Sequence, residues 1–414
     1  MTVVGLNSNA FAKSAANGLN FTLAIRRATA QFSSTHLRWL SRSCTAASIA
    51  SGSRAFCHSY SFMVIFPSEP EASATILARI VADASCSDVV TFCVIIPADS
   101  EGLGQIMPKK VILIADPGID TSFAIALALH DPSLDVIGLL PCAGNISADV
   151  ATSNIHILID RLDPVKWPRT AAAISVEYDL DGTELHGPDG LGGNNFLCAQ
   201  RHQHLPADKV LVELVREHPR QVTVICLGPV TTFARALDRD PEIAGLIEKL
   251  VMVGGTWKVP GNAGPMAEFH FYLDPESASR VIHANITPMI VPLDVTRRLV
   301  LSPTELFELP NPESKTCQFL RKIVPFGLRA SMNNYGVEGF QLKDVLGVAA
   351  VALPGCITFE THPADVEASG ALTRGMLVVD TRKQRGEWPN VQIGVEAAIG
   401  EIRQYVMRIL KAAP

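Results

Sequence analysis

A buried strand, a sharp turn and a helix follow one another near the middle of the chain. Four branched apolar residues, Val111 to Ile114, predict the strand. The turn Asp116–Asp120 ends it, because its Pro and Gly fix or free the backbone. Apolar residues at helical spacing from Phe123 to Leu129 predict the helix. A second apolar strand, Asp135 to Leu140, leads to Cys142–Asn145, so the whole stretch predicts a β-α-β unit.

Strands and helices continue to alternate toward the C-terminus. Further strands are predicted at Thr170–Ser175, Gln221–Leu227, Leu250–Gly254, Thr287–Val295, Ile357–Glu360, Leu377–Asp380 and Val391–Val395. Helices are predicted at Ser147–Leu162, Ala207–Glu217, Thr231–Leu237, Glu242–Glu248 and Ala397–Lys411, with others from Asp274, from Lys343 and between Pro303 and Asn333. This alternation predicts an α/β fold with an open, mostly parallel (Rossmann-like) sheet flanked by helices, in a single domain over residues 107–414.

Residues 1–106 form an atypical N-terminal extension. From Met1 to Ser68 there is no Asp or Glu, and Arg, Ser, Thr and Ala are frequent. This composition is typical of an organelle transit peptide. Upstream sequence translated from too early a start codon is the competing interpretation, with Met107 as the natural start. We favour the latter and predict that residues 1–106 are disordered or unrelated to the chemistry, although the apolar runs Phe62–Phe66 and Val89–Ile96 argue against this.

Composition and charge exclude several classes of protein. A hydrophobic content of 48% with 18% charged residues is ordinary for an α/β enzyme. The net charge of −6 argues against a nucleic-acid partner, and no apolar run reaches the roughly 18 residues of a membrane span. Nine scattered cysteines without a CxxC pair favour a reducing compartment over a disulfide scaffold or zinc site. We therefore predict a cytoplasmic protein, with organelle targeting by residues 1–68 left open.

Polar residues stand where the predicted strands end and the helices begin. They are Asp116, Asp120, Asn145, Asn262, Glu268, His270 and Asp344. Carboxylates that converge on one sheet edge repel one another unless a cation holds them, and hard oxygen ligands suit Ca²⁺ or Mg²⁺. A bound cation lowers the pKa of a water, and a neighbouring Asp takes its proton. The residues alone therefore predict metal-assisted hydrolysis of a sugar-like substrate.

An ordered set of motifs resembles the nucleoside hydrolases, in particular the inosine–uridine-preferring group. The motifs are VILIADPGID, Ala143–Asn145, HGPDGLGG from His186, Val253–Gly255, Gly261-Asn262, Ala267–Phe269, Leu273–Glu276, Gly370–Thr373 and Gly375-Met376. They occur in the family's order from Met107 to the C-terminus. The resemblance implies that water cleaves the N-glycosidic bond of a ribonucleoside, giving free base and ribose. It also implies a Ca²⁺ at the bottom of the pocket and a homo-oligomer, a dimer or tetramer.

The resemblance assigns roles to individual positions. Asp116 resembles the general base that also touches the metal. Asp120 resembles a ligand of the metal or of the ribose 2′-hydroxyl, and Asp344 resembles the last metal ligand. Leu227 occupies a position that offers its backbone carbonyl to the metal. The substrate-binding positions are Asn145, Asn262, Glu268, His270 and, in the loop that flanks the pocket, His186. Carboxylates around the sugar would stabilise an oxocarbenium-like transition state.

Three positions depart from the family pattern. Thr121 stands where an Asp is normally a main calcium ligand, which predicts a weakened metal site. Lys343 stands where many members place a His that protonates the departing base, and a Lys with its ordinary pKa of about 10.4 is a poor acid unless burial lowers that value. His270 replaces an Asn that commonly contacts ribose. Two alternatives therefore stay open: a weakly active or non-catalytic ribonucleoside-binding or ribose-binding protein, and hydrolysis of a different N-riboside.

Simpler structural explanations exist for single residues. The DPGID turn alone would be a strand-to-helix turn with a helix cap, and Asp344 alone a first-turn helix acid. His186 would lie in a surface loop, and His270 would be a packed histidine. Cys142 and Cys226 are interpreted as small core residues. The ordered motifs favour chemistry for Asp116, Asn145 and Asp344, whereas His270 and Lys343 stay undecided.

Overall fold

The structure, a computed structural model, describes residues 107–197, 205–382 and 389–414 and four short strands nearer the N-terminus. The chain divides into two units, Met1–Gln105 and Ile106–Pro414. In the first unit the strands form an antiparallel sheet in the order β1-β4-β3-β2, where β1 is Val4–Gly5, β2 Ser59–Ile65, β3 Thr75–Val81 and β4 Thr91–Val94. Two of them coincide with the apolar runs noted in the sequence. The other residues of this unit lie outside the described residues, so the transit-peptide and start-site interpretations stay predictions.

The second unit has twelve strands among the described residues, and eight of them form its central sheet. Its strands are β5 (Lys109–Ala115), β6 (Leu134–Pro141), β7 (Arg169–Thr170), β8 (Val222–Leu227), β9 (Lys249–Val253), β10 (Met289–Val291), β11 (Val300–Leu301), β12 (Phe340–Gln341), β13 (Ile357–His362), β14 (Ala364–Val366), β15 (Leu377–Val379) and β16 (Val391–Ala397). The central order is β13-β16-β10-β9-β8-β5-β6-β7, and only β13 runs antiparallel to its neighbour. Two-stranded pairs join β11 to β12 and β14 to β15. The predicted open, mostly parallel sheet is confirmed.

Helices connect and cover these strands. They are α1 (Ile119–His130), α2 (Ala148–Leu162), α3 (Thr183–His186), α4 (Ala207–Glu217), α5 (Thr231–Arg239), α6 (Ile243–Leu246), α7 (Phe269–Leu273), α8 (Pro275–Ile282), α9 (Leu293–Thr296), α10 (Pro303–Phe307), α11 (Lys315–Tyr335), α12 (Val345–Ala352) and α13 (Ile399–Ala412). The single strand predicted over Thr287–Val295 is wrong in its second half, where α9 begins. Pro292 separates the two elements because it has no N–H to continue the ladder. Among the described residues, no helix has the length and apolar character to cross a membrane.

Strand β5 is buried on both faces of the sheet. Its odd-numbered residues from Val111 to Ala115 belong to one apolar cluster, which includes α1 and α12. Ile112 and Ile114 belong to the other cluster, which includes α4 and α5. Successive side chains of a strand point to opposite faces, so a run of branched apolar residues suits a strand covered on both sides.

The order of the strands creates a crevice at the end of β5. Strand β6 lies on one side of β5, whereas β8 lies on the other side and is followed outward by β9 and β10. In open α/β sheets, ligands bind at the carboxyl ends of the strands where the order reverses in this way. Asp116 follows β5 and Asn145 comes after β6, so the fold directs both residues to this crevice.

Candidate functional site

A pocket opens at this crevice and gathers most of the predicted site residues. It is lined by Asp120, Asn145, His186, Val253, Gly254, Glu268, Phe269, His270, Leu293, Thr296, Lys343 and Asp344. Asn262 lines an adjoining cavity instead. Asp116 and Leu227 are fully buried and are not among the lining residues of either space. We call the first space the inner pocket and the second the outer cavity.

The carboxylate of Asp116 is held just behind the inner pocket. Its Oδ2 accepts a 2.9 Å hydrogen bond from the Asn145 backbone N–H, and the Asn145 side-chain amide donates to the Asp116 backbone carbonyl at 3.0 Å. A Cβ on Gly144 would lie 2.2 Å from Asp116 Oδ2, and one on Gly228 would lie 2.9 Å from Oδ1. The two glycines therefore let the backbone close around this carboxylate.

Asp116 is buried in a way that leaves one oxygen available. Its Oδ1 accepts no hydrogen bond from any described residue, although the side chain is fully buried. Burial raises the pKa of Asp116 to about 7, and the nearby Asp120 adds to this rise while His270 opposes it. A carboxyl with a pKa near neutrality suits a general base, because it can both take and release a proton there.

Two further carboxylates share this region. Asp344 Oδ2 accepts a 2.6 Å hydrogen bond from the Thr121 hydroxyl. Burial raises the pKa of Asp344 well above its usual value, and both Asp120 and Asp116 raise it further. Asp344 lies directly before α12 rather than in its first turn, and its side chain makes no capping bond there. The mutual repulsion of the three carboxylates is the chemistry that a bound cation relieves.

His186 is a buried, neutral wall of the inner pocket. Its Nδ1 accepts a 3.0 Å hydrogen bond from the Ile119 N–H, so the ring proton is on Nε2, which lies 3.8 Å from Asp120 Oδ1. Burial lowers the pKa of His186 to about 4. The alternative of a surface-loop histidine is therefore wrong. His186 therefore lies beside Asp120 as a neutral group, at a distance longer than a hydrogen bond.

His270 is both packed and charged. Its Nδ1–H donates to the Val253 carbonyl at 2.8 Å, and its Nε2 lies 3.6 Å from Asp116 Oδ2. Burial opposes the charge of His270, but the carboxylates of Glu268, Asp116 and Asp344 outweigh burial and raise its pKa to about 9. The packed-histidine explanation thus holds together with an electrostatic role beside Asp116.

Glu268 has a structural task that the sequence did not reveal. It caps helix α7, and its Oε2 accepts hydrogen bonds from the N–H groups of Gly255 at 2.9 Å and His270 at 3.0 Å. Its Oε1 lies 3.9 Å from His270 Nδ1. One oxygen therefore fixes the loop after β9, and the other faces the charged histidine.

Lys343 is partly buried where the inner pocket and the outer cavity meet. Burial opposes its charge, but Asp120, Glu268 and Asp344 outweigh burial, and its pKa is raised. A lowered pKa was the condition under which Lys343 would make a good acid, and this condition is not met. At neutral pH, Lys343 is therefore a fixed positive charge.

The outer cavity, of about 210 Å³, was not recognised from the sequence. Its lining comprises Leu185, Pro260, Gly261, Asn262, Leu293, Arg297, Ser331, Tyr335, Phe340, Gln341 and Lys343. The Asn262 side-chain oxygen accepts a 2.9 Å hydrogen bond from the Phe269 N–H, which ties the lining loop to α7. Arg297, Ser331 and Tyr335 belong to no motif, so only the tertiary fold identifies them.

Two other features of the chain bear on its chemistry: the burial of two cysteines and the spacing of side chains that could bind a metal. Cys142 and Cys226 are buried, and burial raises the pKa of both thiols, as expected for unreactive core residues. Within residues 107–197, 205–382 and 389–414, no three His, Cys, Asp or Glu side chains are grouped closely enough to count as a metal site.

The chain matches a family described as inosine-uridine preferring nucleoside hydrolase over residues 111–403. A probable uridine nucleosidase 2 of Arabidopsis thaliana is 31% identical over 313 residues, which cover 72% of this chain and 96% of the relative. A non-specific ribonucleoside hydrolase of Salmonella agona is 32% identical over 306 residues, covering 73% and 98%. An inosine-uridine preferring nucleoside hydrolase of Leishmania major is 30% identical over 297 residues, covering 70% and 93%.

The fold is likewise that of solved nucleoside hydrolase structures. A plant nucleoside hydrolase superposes with a TM-score of 0.70 at 27% identity, covering 74% of this chain and all of the other. A purine-preferring ribonucleoside hydrolase of Gardnerella vaginalis has the same fold, with a TM-score of 0.67 at 24% identity, covering 74% of this chain and 99% of the other.

Proposed function

Because this chain belongs to the inosine-uridine preferring nucleoside hydrolase family, we propose that it hydrolyses the N-glycosidic bond of ribonucleosides to free base and ribose. The single observation that carries the proposal is the Asp116 carboxylate. It is fully buried behind a pocket lined by Asp120, Glu268 and Asp344, and its pKa is raised to about 7. A base of this strength can take a proton from water near neutral pH.

The remaining carboxylates act on the sugar. Breaking the C1′–N bond places positive charge on the ribose ring, and fixed negative groups around the ring stabilise that charge. Asp120 and Asp344 line the inner pocket and supply this field. Asn145 and Glu268 line the same pocket and offer amide and carboxylate groups to ribose hydroxyls. His270 lies 3.6 Å from Asp116 Oδ2 and acts on this carboxylate electrostatically, whereas the neutral His186 lies 3.8 Å from Asp120 Oδ1.

Lys343 acts on the departing base by charge rather than by proton transfer. The base leaves with the electron pair of the broken bond, so negative charge grows on it. A lysine whose pKa is raised stays cationic and stabilises that charge at the point where the two spaces meet. The base then takes its proton from solvent.

The oxygen donors are of the kind that suits a hard divalent cation, which we propose to be Ca²⁺, although within the described residues they are not grouped as closely as in a formed metal site. The unpaired, buried Asp116 Oδ1 is an available ligand oxygen, and Asp120, Asp344 and the Leu227 backbone carbonyl would complete the set. Such a cation supplies positive charge that makes a bound water more acidic. The Thr121 hydroxyl, already bonded to Asp344, contributes no charge, so we expect weaker binding than an Asp at this position would give.

Three further properties are proposed: the first and third follow from the family resemblance, and the second from the scattered cysteines without a CxxC pair. We expect a homo-oligomer, a cytoplasmic location with organelle targeting by residues 1–68 left open, and a task in nucleoside salvage or purine catabolism. The rival function, a ribonucleoside-binding protein without turnover, has no support from the relatives named above, which are all described as nucleosidases or hydrolases.

The test is ribose release by the full chain. The protein is stripped with a chelator, Ca²⁺ is titrated by calorimetry, and reducing sugar is measured with uridine, inosine, cytidine and adenosine. We expect Ca²⁺-dependent ribose release that the Asp116→Ala variant loses. A folded protein that binds nucleoside without releasing ribose, at any Ca²⁺ concentration, would establish the binding role instead.

A further inference from the structure

The inner pocket and the outer cavity differ in their charged side chains. Carboxylates of Asp120, Glu268 and Asp344 line the inner pocket. The described lining of the outer cavity contains two cationic side chains, Arg297 and Lys343, and no Asp or Glu. A substrate that spans both spaces therefore meets carboxylates together with cations at its inner end, and cations without carboxylates at its outer end.

The two cations differ in how they are held. Lys343 is partly buried and lines both the inner pocket and the outer cavity. Arg297 is exposed and lines the outer cavity, and the ion pairs found among the described residues do not include it. Its guanidinium is thus free to bind a planar anion through two parallel hydrogen bonds.

The other walls of the outer cavity suit a flat polar ring. The aromatic side chains of Tyr335 and Phe340 offer stacking surfaces, and Ser331, Gln341 and Asn262 offer hydrogen-bonding groups. The cavity adjoins the inner pocket through Lys343 and Leu293, which line both spaces. The base of a bound ribonucleoside would therefore lie beside the two cations.

We propose that this enzyme selects ribonucleosides whose base carries a negative charge, through Lys343 and Arg297. This inference rests on the proposed function, because it concerns the base end of the same substrate. Water bonds to C1′ and gives its proton to Asp116, while the base leaves with the glycosidic electron pair. A carboxylate on the base attracts the two cations in the bound state. The negative charge that develops on the base as the C1′–N bond breaks adds to that attraction.

Selectivity is measured as a ratio between matched substrates. Uridine and orotidine differ by one carboxylate on the base, and inosine and xanthosine differ by one acidic ring group. We expect the full chain to have a kcat/KM for orotidine about thirtyfold above that for uridine, because a charge-assisted hydrogen bond to Lys343 provides about tenfold and the exposed Arg297 about threefold. This ratio should fall as salt is raised, because ions screen the attraction.

Variants assign the effect to the two residues. Lys343→Met should lower the orotidine-to-uridine ratio about tenfold, and Arg297→Gln about threefold because Arg297 is exposed. Arg298→Gln is the matched control, since Arg298 is also exposed but does not line the cavity. It should leave the ratio unchanged.

Three outcomes would overturn the inference. The first is a kcat/KM for uridine equal to or above that for orotidine. The second is an equal effect of Arg297→Gln and Arg298→Gln on the orotidine-to-uridine ratio. The third is a preference for uridine 5′-monophosphate over both nucleosides, which would place the recognised anion on the ribose. Calorimetric binding of orotidine and uridine to Asp116→Asn gives the same comparison without turnover. Failure of hydrolysis therefore rejects the proposed function, whereas equal binding rejects this inference.

Discussion

The hydroxyl of Thr121 donates a 2.6 Å hydrogen bond to Asp344 Oδ2, joining the first turn of α1 to the residue that precedes α12. Both side chains are buried. Thr121 stands where the family resemblance leads us to expect an acid, and it supplies a donor instead of a negative charge. The chain thus stabilises Asp344 by a neutral group and has one carboxylate fewer for a cation.

Replacing Thr121 by Asp should strengthen metal binding. We expect Thr121→Asp to lower the calorimetric Kd for Ca²⁺ by at least about tenfold, because it adds a charged ligand oxygen. The metal-free variant should unfold more easily, since a further carboxylate is then buried beside Asp344. Thr121→Val is the control: it removes the hydroxyl without adding charge, so Ca²⁺ affinity should not rise. An unchanged Kd in Thr121→Asp would contradict the assignment of the metal site.

The charge of His270 should set the pH at which Asp116 becomes a base. His270 lowers the pKa of Asp116, which is about 7 with this histidine in place. In His270→Asn the positive charge is lost, so the pKa of Asp116 should rise and the acid limb of the kcat/KM profile should move to higher pH.

His186→Asn provides the comparison for this experiment. His186 has its pKa lowered to about 4, so its replacement removes no charge at neutral pH. The rate can fall in this variant, but the acid limb should keep its position. If both variants move the limb equally, the charge of His270 is not the cause.

Much of the fold follows from local patterns, whereas the electrostatics of the site do not. The buried run Val111–Ile114, the Ala207–Glu217 helix and the DPGID turn are short-range signals, and the structure has an element at each place. Arg297 and Tyr335 reach the outer cavity from segments without a motif, because only the packing of α9 and α11 brings them together. Burial raises the pKa of Asp116, whereas nearby carboxylates raise the pKa of Lys343 against the effect of burial, and neither cause is visible in a local pattern.

The close approach of Gly144 to Asp116 should not tolerate a methyl group. A Cβ there would lie 2.2 Å from Asp116 Oδ2, so Gly144→Ala must displace the carboxylate. We expect kcat/KM for uridine to fall at least about 100-fold, since a displacement of about 1 Å has this effect in other enzymes. Gly245→Ala is the matched control, because no atom lies within 4 Å of the added Cβ. Equal activity of the two variants would show that the carboxylate position is not critical.

Asp116 should also make the stability of the metal-free protein depend on pH. Its folded-state pKa is raised from 3.8 to about 7, so between these values the folded protein holds a proton that the unfolded chain has lost. The free energy of unfolding therefore falls as pH rises through this window. Asp116→Asn removes the titration. The variant should gain on the order of 2 kcal/mol relative to the parent between pH 5 and pH 8 in the presence of a chelator, because each pKa unit corresponds to about 1.4 kcal/mol.

Denaturant unfolding at both pH values measures this change. A difference between variant and parent that is the same at pH 5 and pH 8 would mean that Asp116 is already ionised at pH 5, and it would remove the argument that Asp116 is tuned to act as a base near neutrality.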